Sequence, residues 1–301
     1  MKTVLLAGGT GGAKLAVGLQ TVLPPGDLTV IANTADDDEF WGLHVSLDVD
    51  SVIYRLAGVL NETSGWGRAD ETFNAMTEMH RLGQTAWFQI GDRDLAAHVL
   101  RTDMLRRGCT LTETSLELCG RFGLHTRVLP MTDGKVRTRF VTDAGRLSFQ
   151  EYFVREHLAP RLMAVEIDGP EARESPEVRA ALDEADLVVI GPSNPVISIA
   201  PILKVVGGFD RTRTIAVTPI VGGVALKGPT VAMMSAVGME PTPVRVASEY
   251  RTVAGGFVLD SRDAGLAPSI EELGYRVIVC DTVMNDDGGR RLAQELIKAW
   301  S

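Results

Sequence analysis

The clearest chemical signal in the sequence is a glycine-rich stretch, Gly8-Gly9-Thr10-Gly11-Gly12-Ala13-Lys14-Leu15. It directly follows an apolar run and opens a helical pattern. Backbone N–H groups at the start of a helix lack intrahelical partners and carry partial positive charge, so they bind phosphate. Glycines let the backbone approach the phosphate oxygens, and Lys14 adds a charge. The stretch is neither a Walker A loop nor G-x-G-x-x-G, because Lys14 stands at the third glycine position of the latter. It favours a nucleotide-phosphate loop over a plain tight turn.

Acidic side chains follow the next apolar run along the chain. The run Asp36-Asp37-Asp38-Glu39 closes a loop that begins at Asn33, and Asp48 and Asp50 come soon after it. Ligands of open α/β sheets bind outside the carboxyl ends of the strands. Carboxylates beside a phosphate loop suit Mg²⁺, which binds one or two carboxylates together with phosphate oxygens. A solvated acidic loop is the alternative interpretation of the same residues.

Three further loops combine glycine or proline with polar side chains. In Gly191-Pro192-Ser193-Asn194-Pro195, the amide of Asn194 offers a donor and an acceptor that suit a nucleobase edge, although a structural turn fits equally well. The segment Thr218–Gly223, followed by Lys227-Gly228-Pro229, is a second candidate phosphate site. Gly91-Asp92-Arg93-Asp94 starts a predicted helix, for which Asp94 is an alternative helix cap.

Short runs rich in Val and Ile alternate with helical patterns and must position these loops. Because they lack period-two alternation, the runs are typical of parallel strands covered on both faces. The predicted strands are Thr3–Ala7, Leu28–Ala32, Leu187–Ile190, Thr214–Val217 and Arg276–Val279. The predicted helices are Ala13–Leu23, Asp48–Leu56, Pro176–Glu184, Thr230–Val237 and Gly289–Trp300. The alternation predicts an α/β fold with a mostly parallel sheet.

The middle of the chain breaks this alternation. It contains three predicted helices, Asp70–Leu82, Asp94–Arg107 and Thr112–Arg121. Probable antiparallel strands follow at Thr126–Leu129, Lys135–Thr142 and Gly145–Phe149. We therefore expect residues 61–165 to form an inserted, mixed helical and antiparallel subdomain on a core built from residues 1–60 and 166–301.

Charge and cysteine usage exclude several classes of function. A net charge of −9 argues against a phosphate-backbone binder, so no nucleic acid is expected as a partner. The densest basic residues, Arg101, Arg106 and Arg107, are interpreted as a solvated helix face. Three cysteines without metal-ligand spacing indicate reduced thiols. Without a signal segment or an apolar run of 18 residues, a cytoplasmic protein with no membrane contact is expected.

Taken together, these motifs resemble the 2-phospho-L-lactate transferase family of coenzyme F-420 biosynthesis, over essentially the whole chain. The resemblance is carried by Gly8–Leu15, Asn33–Asp37, Ser46–Asp50, Gly65–Gly67, Gly91–Asp94, His98, Phe149–Glu151, Gly191–Pro195 and Pro219–Pro229. It implies a Rossmann-like core, a homodimer, and transfer from lactyl- or enolpyruvyl-diphosphoguanosine to the deazaflavin Fo with release of GMP.

The resemblance also assigns roles to individual residues. The donor would contact Gly8, Gly9, Thr10, Gly11, Gly12 and Lys14 on its phosphate side, and Ser193, Asn194 and Pro195 on its guanine side. Mg²⁺ would bind Asp36 and Asp48. The acceptor Fo would lie beside Asp50, Gln89 and Arg93, under the inserted subdomain. Leu47 departs from the family, which commonly has proline there, and this alters turn stiffness more than chemistry.

The mechanism implied is attack of an Fo hydroxyl on the donor phosphorus that carries the three-carbon group. Asp50 is the catalytic candidate, either orienting or deprotonating that hydroxyl. His98 is expected to be structural, and Trp41, Trp66 and Trp87 are candidates for stacking on the deazaflavin ring. The alternatives are a sugar-nucleotidyl transferase and a non-enzymatic nucleotide-sugar-binding regulator of the gluconeogenesis-factor type. A nicotinamide dehydrogenase ranks last, because G-x-G-x-x-G is absent.

Overall fold

The computed structural model of the chain describes residues 1–85, 87–169, 171–225, 229–285, 287 and 289–300. Lys227 and Gly228 of the second candidate phosphate site lie outside the described residues. In chain order the strands are β1 (Thr3–Ala7), β2 (Leu28–Ala32), β3 (Asp38–Phe40), β4 (Leu43–Val45), β5 (Arg127–Pro130), β6 (Arg137–Thr142), β7 (Gly145–Leu147), β8 (Leu162–Asp168), β9 (Leu187–Ile190), β10 (Thr214–Val217), β11 (Ile220–Val221), β12 (Val224–Ala225), β13 (Gly256–Asp260) and β14 (Arg276–Cys280).

Helices connect most of these strands. They are α1 (Gly9–Val22), α2 (Leu47–Leu56), α3 (Asn74–Arg81), α4 (Asp92–Arg106), α5 (Leu111–Arg121), α6 (Pro176–Glu184), α7 (Ala200–Val205), α8 (Thr230–Ala236), α9 (Pro243–Tyr250), α10 (Ala267–Glu271) and α11 (Arg290–Trp300). None of the helices in the described part of the chain combines the length and the apolar character that crossing a membrane requires.

A parallel sheet forms the centre of the molecule. Within the described residues it has seven strands, in the order β14-β13-β10-β9-β1-β2-β5. Strand β1 pairs with β2 on one side and β9 on the other, and Leu6 lies opposite both Ile31 and Ile190. From β1 the chain first adds β2 and β5 on one side of the sheet, and then adds β9, β10, β13 and β14 on the other side. The carboxyl ends of β1 and β9 therefore flank a topological switch point, where open α/β sheets bind ligands.

Successive residues of each central strand enter opposite hydrophobic cores. Leu5 and Ala7 pack on one face of the sheet with residues of α1, α2 and α11. Val4 and Leu6 pack on the other face with residues of α6, α9 and α10. Burial of these apolar faces is the dominant favourable contribution to folding. The predicted Rossmann-like α/β fold, with helices on both faces of a parallel sheet, is confirmed.

The inserted segment differs from the prediction in its first strand. Strand β5 pairs in parallel with β2 at the edge of the central sheet, so the expectation that Thr126–Leu129 is antiparallel is wrong. Helix α5 provides the crossover that a parallel connection needs. Strands β6, β7 and β8 do form a separate antiparallel sheet. The segment 61–165 therefore shares the central sheet with the rest of the chain.

Two other elements depart from the prediction and bear on the site. Strand β13 lies between β10 and β14 and was not predicted, because its short run follows two glycines. Helix α1 begins at Gly9 and not at Ala13. The glycine-rich stretch is therefore the first turn of a helix, whose backbone N–H groups point towards the carboxyl edge of the sheet.

Candidate active site

The glycine-rich turn packs closely on the loop that follows β9. The Ser193 hydroxyl accepts hydrogen bonds from the N–H groups of Gly8 (3.1 Å) and Gly12 (3.2 Å) and donates one to the Gly8 carbonyl (2.6 Å). A methyl group at Gly12 would lie 2.6 Å from Ala7 Cβ and 2.7 Å from Ser193 Oγ. Gly12 is thus required by the packing of α1 on β1 and on the loop after β9, in addition to any approach of a ligand. Gly8 is likewise confined, since a methyl group there would lie 2.5 Å from Ser198 Cβ.

Two carboxylates meet beside this turn. The Asn33 side-chain amide donates to Asp36 Oδ2 (3.0 Å) and to Asp48 Oδ2 (2.9 Å), which holds the two acids together. Asp48 Oδ1 accepts the N–H of Gly9 at 2.6 Å. Gly9 has a φ of +54°, a left-handed conformation that glycine adopts without strain. The helix start therefore binds one of the predicted metal ligands directly.

The electrostatics of this pair suit a bound cation. Burial, and then the charge of Asp48, raise the pKa of Asp36 well above its ordinary value. Burial likewise raises the pKa of Asp48 to about 6. Hydrogen bonds from the side chains of Thr138 and Asn33 oppose this rise in the pKa of Asp36. Among the described residues, no group of three or more His, Cys, Asp or Glu side chains could hold a metal ion. Asp36 and Asp48 together supply two carboxylates, and Mg²⁺ is commonly held by one or two carboxylates plus substrate phosphate.

The other acids of the run have different surroundings. Asp37 Oδ2 accepts the Ser46 hydroxyl at 2.7 Å and lies 3.0 Å from His44 Nε2. Asp38 begins strand β3, and Glu39 is exposed. Only Asp36 of this run lines a cavity in the described structure.

A cavity of about 370 Å³ lies in front of the glycine-rich turn. Its walls include every donor-side residue predicted above except Gly12 and Pro195, together with both predicted metal ligands. Because Gly9 N–H is bound to Asp48, the amides of Thr10 and Gly11 are the first-turn donors left for an anion. Lys14 Nζ donates to the Met284 carbonyl at 3.2 Å, which ties α1 to the loop after β14.

The loop after β9 uses part of its polar groups internally. Asn194 Oδ1 accepts the N–H of Val196 (2.9 Å), which caps the turn that begins at Pro195. Its Nδ2 donates to the sulfur of Met233 at 3.5 Å. Both ends of the Asn194 amide are therefore engaged within the protein, and its expected pairing with a nucleobase edge stays a prediction.

One wall of this cavity was not foreseen. Residues 282–285, after β14, line it opposite the glycine-rich turn. Asp260 at the end of β13 holds this loop, because its Oδ2 accepts both the N–H and the hydroxyl of Thr282 at 2.9 Å. The wall depends on two adjacent strands, one of them unpredicted, and no local motif marks it.

A second cavity, of about 410 Å³, adjoins the first. Both cavities are lined by Asp48 and Phe149, so they meet at these two side chains. The apolar lining of the second cavity includes four aromatic side chains, Trp66, Phe88, Phe149 and Phe153. Its polar lining also includes Asp50, Tyr54, Gln89, Asp94, His98 and Gln150.

Asp50 is held at the floor of this cavity by a buried arginine. Arg101 Nη1 donates to Asp50 Oδ2 at 3.1 Å, and Nη2 contacts Asp50 Oδ1. The assignment of Arg101 to a solvated face is wrong, since its side chain is 0% exposed. Helix α4 turns Arg101 inward, whereas Arg106 and Arg107 are exposed. Burial raises the pKa of Asp50, and the charge of Arg101 opposes that effect.

A buried chain of polar groups continues from this pair. His98 Nδ1 lies 3.3 Å from Arg101 Nη1, and His98 Nε2 lies 3.3 Å from Asp94 Oδ1. The Tyr54 hydroxyl donates to Asp94 Oδ1 at 2.8 Å. Burial favours the neutral acid, but His98 and Tyr54 outweigh it and hold the pKa of Asp94 below its ordinary value. The spacing of residues 94, 98 and 101, which repeats on one helix face, could have predicted this chain.

Two carboxylates fix the loop that carries Trp66 over the cavity. Glu71 accepts the N–H groups of Arg93 and Asp94 (both 2.8 Å) at the start of α4. Asp92 accepts the N–H groups of Asn74 and Ala75 (both 3.0 Å) at the start of α3. Glu71, and not Asp94, thus caps helix α4.

The last two predicted acceptor residues have different positions. Gln89 lines the aromatic cavity. Arg93 is about half exposed, donates to the Ala69 carbonyl at 3.2 Å and lies 3.8 Å from Asp70. In the described structure Arg93 belongs to the outer support of the Trp66 loop and is not part of the cavity wall.

Comparison with known proteins identifies the family of this chain. The family model described as 2-phospho-L-lactate transferase CofD matches residues 3–288. The chain belongs to the 2-phospho-L-lactate transferase family. The matched range includes every cavity-lining residue named above.

Members of this transferase family are similar along nearly their whole length. The phosphoenolpyruvate transferase of Streptomyces avermitilis is 38% identical and is matched over 99% of this chain and 97% of its own. The 2-phospho-L-lactate transferase of Methanosarcina acetivorans is 37% identical, over 98% of this chain and 97% of its own. The expectation that the chain is a transferase enzyme, and not a non-enzymatic regulator, is confirmed.

Solved structures agree on the fold. A member of the UPF0052 family from Bacillus halodurans superposes with a TM-score of 0.61 at 15% identity and covers 98% of both chains. At this identity the likeness shows the architecture alone and carries no information about the activity of the chain.

Proposed function

We propose that the protein transfers a phospholactyl or phosphoenolpyruvyl group from a guanosine-diphosphate-linked donor to the deazaflavin Fo and releases GMP, in coenzyme F-420 biosynthesis. Family membership supports the transferred group. The observation that carries the proposal is the pair of cavities, one beside a helix start and one aromatic, that meet at Asp48 and Phe149.

The donor occupies the cavity of about 370 Å³. Its diphosphate lies against the amides of Thr10 and Gly11, where the positive end of α1 stabilises negative charge. Its guanine lies towards Ser193 and Asn194, which line the same cavity. Preorganised donors of this kind stabilise charge that develops on phosphoryl oxygens.

Asp36 and Asp48 are the residues that hold Mg²⁺ together with the donor diphosphate. When bound, Mg²⁺ neutralises charge on the phosphoryl oxygens and favours displacement at phosphorus. The two acids repel each other and have raised pKa values without a cation, which supports this assignment. Asn33 keeps one oxygen of each acid in place beside the donor cavity, which both acids line.

The acceptor occupies the aromatic cavity. Its flat ring packs between aromatic side chains such as Trp66 and Phe153, and its hydroxyl chain lies over Asp50. Asp50 accepts the hydrogen bond of the attacking hydroxyl and orients its oxygen towards the donor. In the transfer, the hydroxyl oxygen forms a bond to the phosphorus that bears the three-carbon group. The bond from that phosphorus to the GMP oxygen breaks, GMP leaves with the electron pair, and the hydroxyl proton passes to solvent.

The test is turnover with defined substrates. The protein is incubated with Fo, Mg²⁺ and each of the lactyl- and enolpyruvyl-diphosphoguanosine donors, and GMP and the Fo phosphodiester are measured by mass spectrometry. Asp50→Ala should lower turnover by more than about 100-fold while GDP binding persists, the effect of losing a positioned polar group. Asp103→Ala, on the exposed side of α4, is the control and should match the wild type. Absence of product from the wild-type protein with both donors would refute the proposed function.

A further inference from the structure

Arg101 is a fully buried cation whose planar end faces Asp50. Its side chain is 0% exposed, and its two terminal nitrogens contact the two oxygens of the Asp50 carboxylate. Nη1 also donates to the His44 carbonyl at 3.3 Å and lies 3.3 Å from His98 Nδ1. These contacts fix the plane of the guanidinium and, through it, the plane of the carboxylate.

Stability alone does not account for this ion pair. Removing two charges from water costs about as much as their attraction returns, and apolar residues of similar volume often stabilise a core equally well. In addition, Arg101 Nε is buried without a hydrogen-bond partner among the described residues. An arginine whose Nε–H group is buried without a hydrogen-bond partner lowers the stability of the folded state.

The pair does account for the orientation of Asp50. A carboxylate on a short side chain at a cavity wall can rotate about its last bond, and each rotation moves its lone pairs away from a bound hydroxyl. Two parallel N–H···O contacts remove this freedom, because the guanidinium fork matches the carboxylate plane. The ammonium of lysine is a point charge and does not impose that plane.

We propose that Arg101 is a positioning residue for the transfer reaction, because its fork holds the Asp50 carboxylate in the one orientation that meets the attacking hydroxyl. The inference rests on the proposed function, in which Asp50 contacts the acceptor. In the described part of the chain, Arg101 also contacts His98 and the His44 carbonyl, and neither of these contacts constrains Asp50.

Arg101→Lys keeps the charge and removes the fork, so it tests the inference directly. We expect kcat to fall by roughly 10- to 100-fold, since an error of about 1 Å in a reacting group costs about two orders of magnitude. KM for the donor and GDP affinity should stay within about threefold of wild type, because the donor cavity does not contain Arg101. Arg107→Lys, at the exposed residue that directly follows α4, is the matched control and should leave kcat unchanged.

Rescue and stability measurements separate positioning from folding. Arg101→Ala should regain activity when guanidinium ion is added at millimolar concentration, and methylammonium should not replace it. The double variant Asp50→Leu with Arg101→Met should be at least as stable in urea as the wild type. If Arg101→Ala does not fold, as judged by circular dichroism, the Arg101→Lys result decides the question.

Three results would overturn the inference. One is an Arg101→Lys variant with kcat within threefold of wild type, and another is equal rescue of Arg101→Ala by both cations. The third is a marked loss of stability in the double variant, which would assign the pair to folding. A wild-type protein that forms no product from Fo refutes the proposed function, and this inference with it, whereas the other results refute only the role of Arg101.

Discussion

Replacing Gly12 by alanine tests whether packing between α1 and the loop after β9 shapes the donor cavity. The added methyl would lie 2.6 Å from Ala7 Cβ, 2.7 Å from Ser193 Oγ and 2.9 Å from Ala7 Cα. Carbon atoms in favourable contact are about 3.5–4.0 Å apart. The helix and its neighbours must therefore separate by roughly 1 Å, or Ser193 must rotate and lose its hydrogen bonds to Gly8 and Gly12.

The expected cost follows from these alternatives. Overpacking of a well-packed core costs about 1–3 kcal/mol. Each hydrogen bond lost from Ser193 adds about 1 kcal/mol, and the better helix propensity of alanine returns up to about 1 kcal/mol. We expect Gly12→Ala to lower the free energy of unfolding by about 2–3 kcal/mol. We also expect turnover to fall by about 100-fold, because the phosphate-binding amides shift by about 1 Å.

The assay combines urea denaturation, GDP titration and turnover, with a helical control. Gly120 lies in α5, and a methyl there would meet nothing within 4 Å. Gly120→Ala should therefore stabilise the protein by about 0.5–1 kcal/mol and leave GDP affinity unchanged. A double variant, Ala7→Gly with Gly12→Ala, removes the shortest contact and should show a favourable coupling of at least about 0.5 kcal/mol.

A Gly12→Ala variant that is as stable as Gly120→Ala and retains turnover within threefold of wild type would refute the packing role of Gly12. Additivity of Ala7→Gly and Gly12→Ala would show that the contact with Ala7 is not the source of the cost. Loss of GDP affinity without loss of stability would instead assign Gly12 to ligand approach alone.

Three further predictions concern other parts of the structure. The Thr72 hydroxyl and the N–H groups near the start of α3 hold the pKa of Asp92 below its ordinary value, so its contribution to stability is present above about pH 4 and is lost as the pH falls. Asp92→Asn should therefore reduce the loss of stability on acidification in urea denaturation, and limited proteolysis should cut the Trp66 loop sooner. Trp66→Ala should raise KM for Fo by about tenfold or more without changing GDP affinity, and an unchanged KM would exclude ring packing at this side chain. Thr110→Ala removes a capping box at the start of α5, and urea denaturation should show a cost of about 1 kcal/mol, with turnover unchanged.

Local patterns were sufficient for the elements whose environment is uniform. Strands such as β1, β2 and β9 are buried on both faces, so their continuous apolar runs are distinctive. The short run of β5 was placed correctly along the chain but was assigned the wrong direction. The direction of β5 depends on the helix that precedes it and on the free edge of β2. Neither can be recognised from the four residues of the strand itself.

The residues of the candidate site also differ in how far the sequence could predict them. The glycine-rich turn and Asp48 could be selected from the sequence, because glycines at a predicted helix start and closely spaced acids are recognisable local patterns. Arg101 gave no such signal: a cation in a charged helix is ordinarily solvated, and the cost of burying this one is offset by the facing Asp50 on α2.

By itself, the sequence determined the α/β class and the family resemblance, and it predicted phosphate binding at the start of α1, because each depends on residue type and spacing along the chain. The tertiary structure decided which polar groups remain available. It showed that Ser193 and the oxygen of Asn194 are engaged by backbone, that Arg93 lies outside the cavity wall, and that Arg101 is buried against Asp50. Hydrogen bonds and burial are set by partners far away along the chain, and the two cavities meet at Asp48 because parallel strands end at one edge of the sheet.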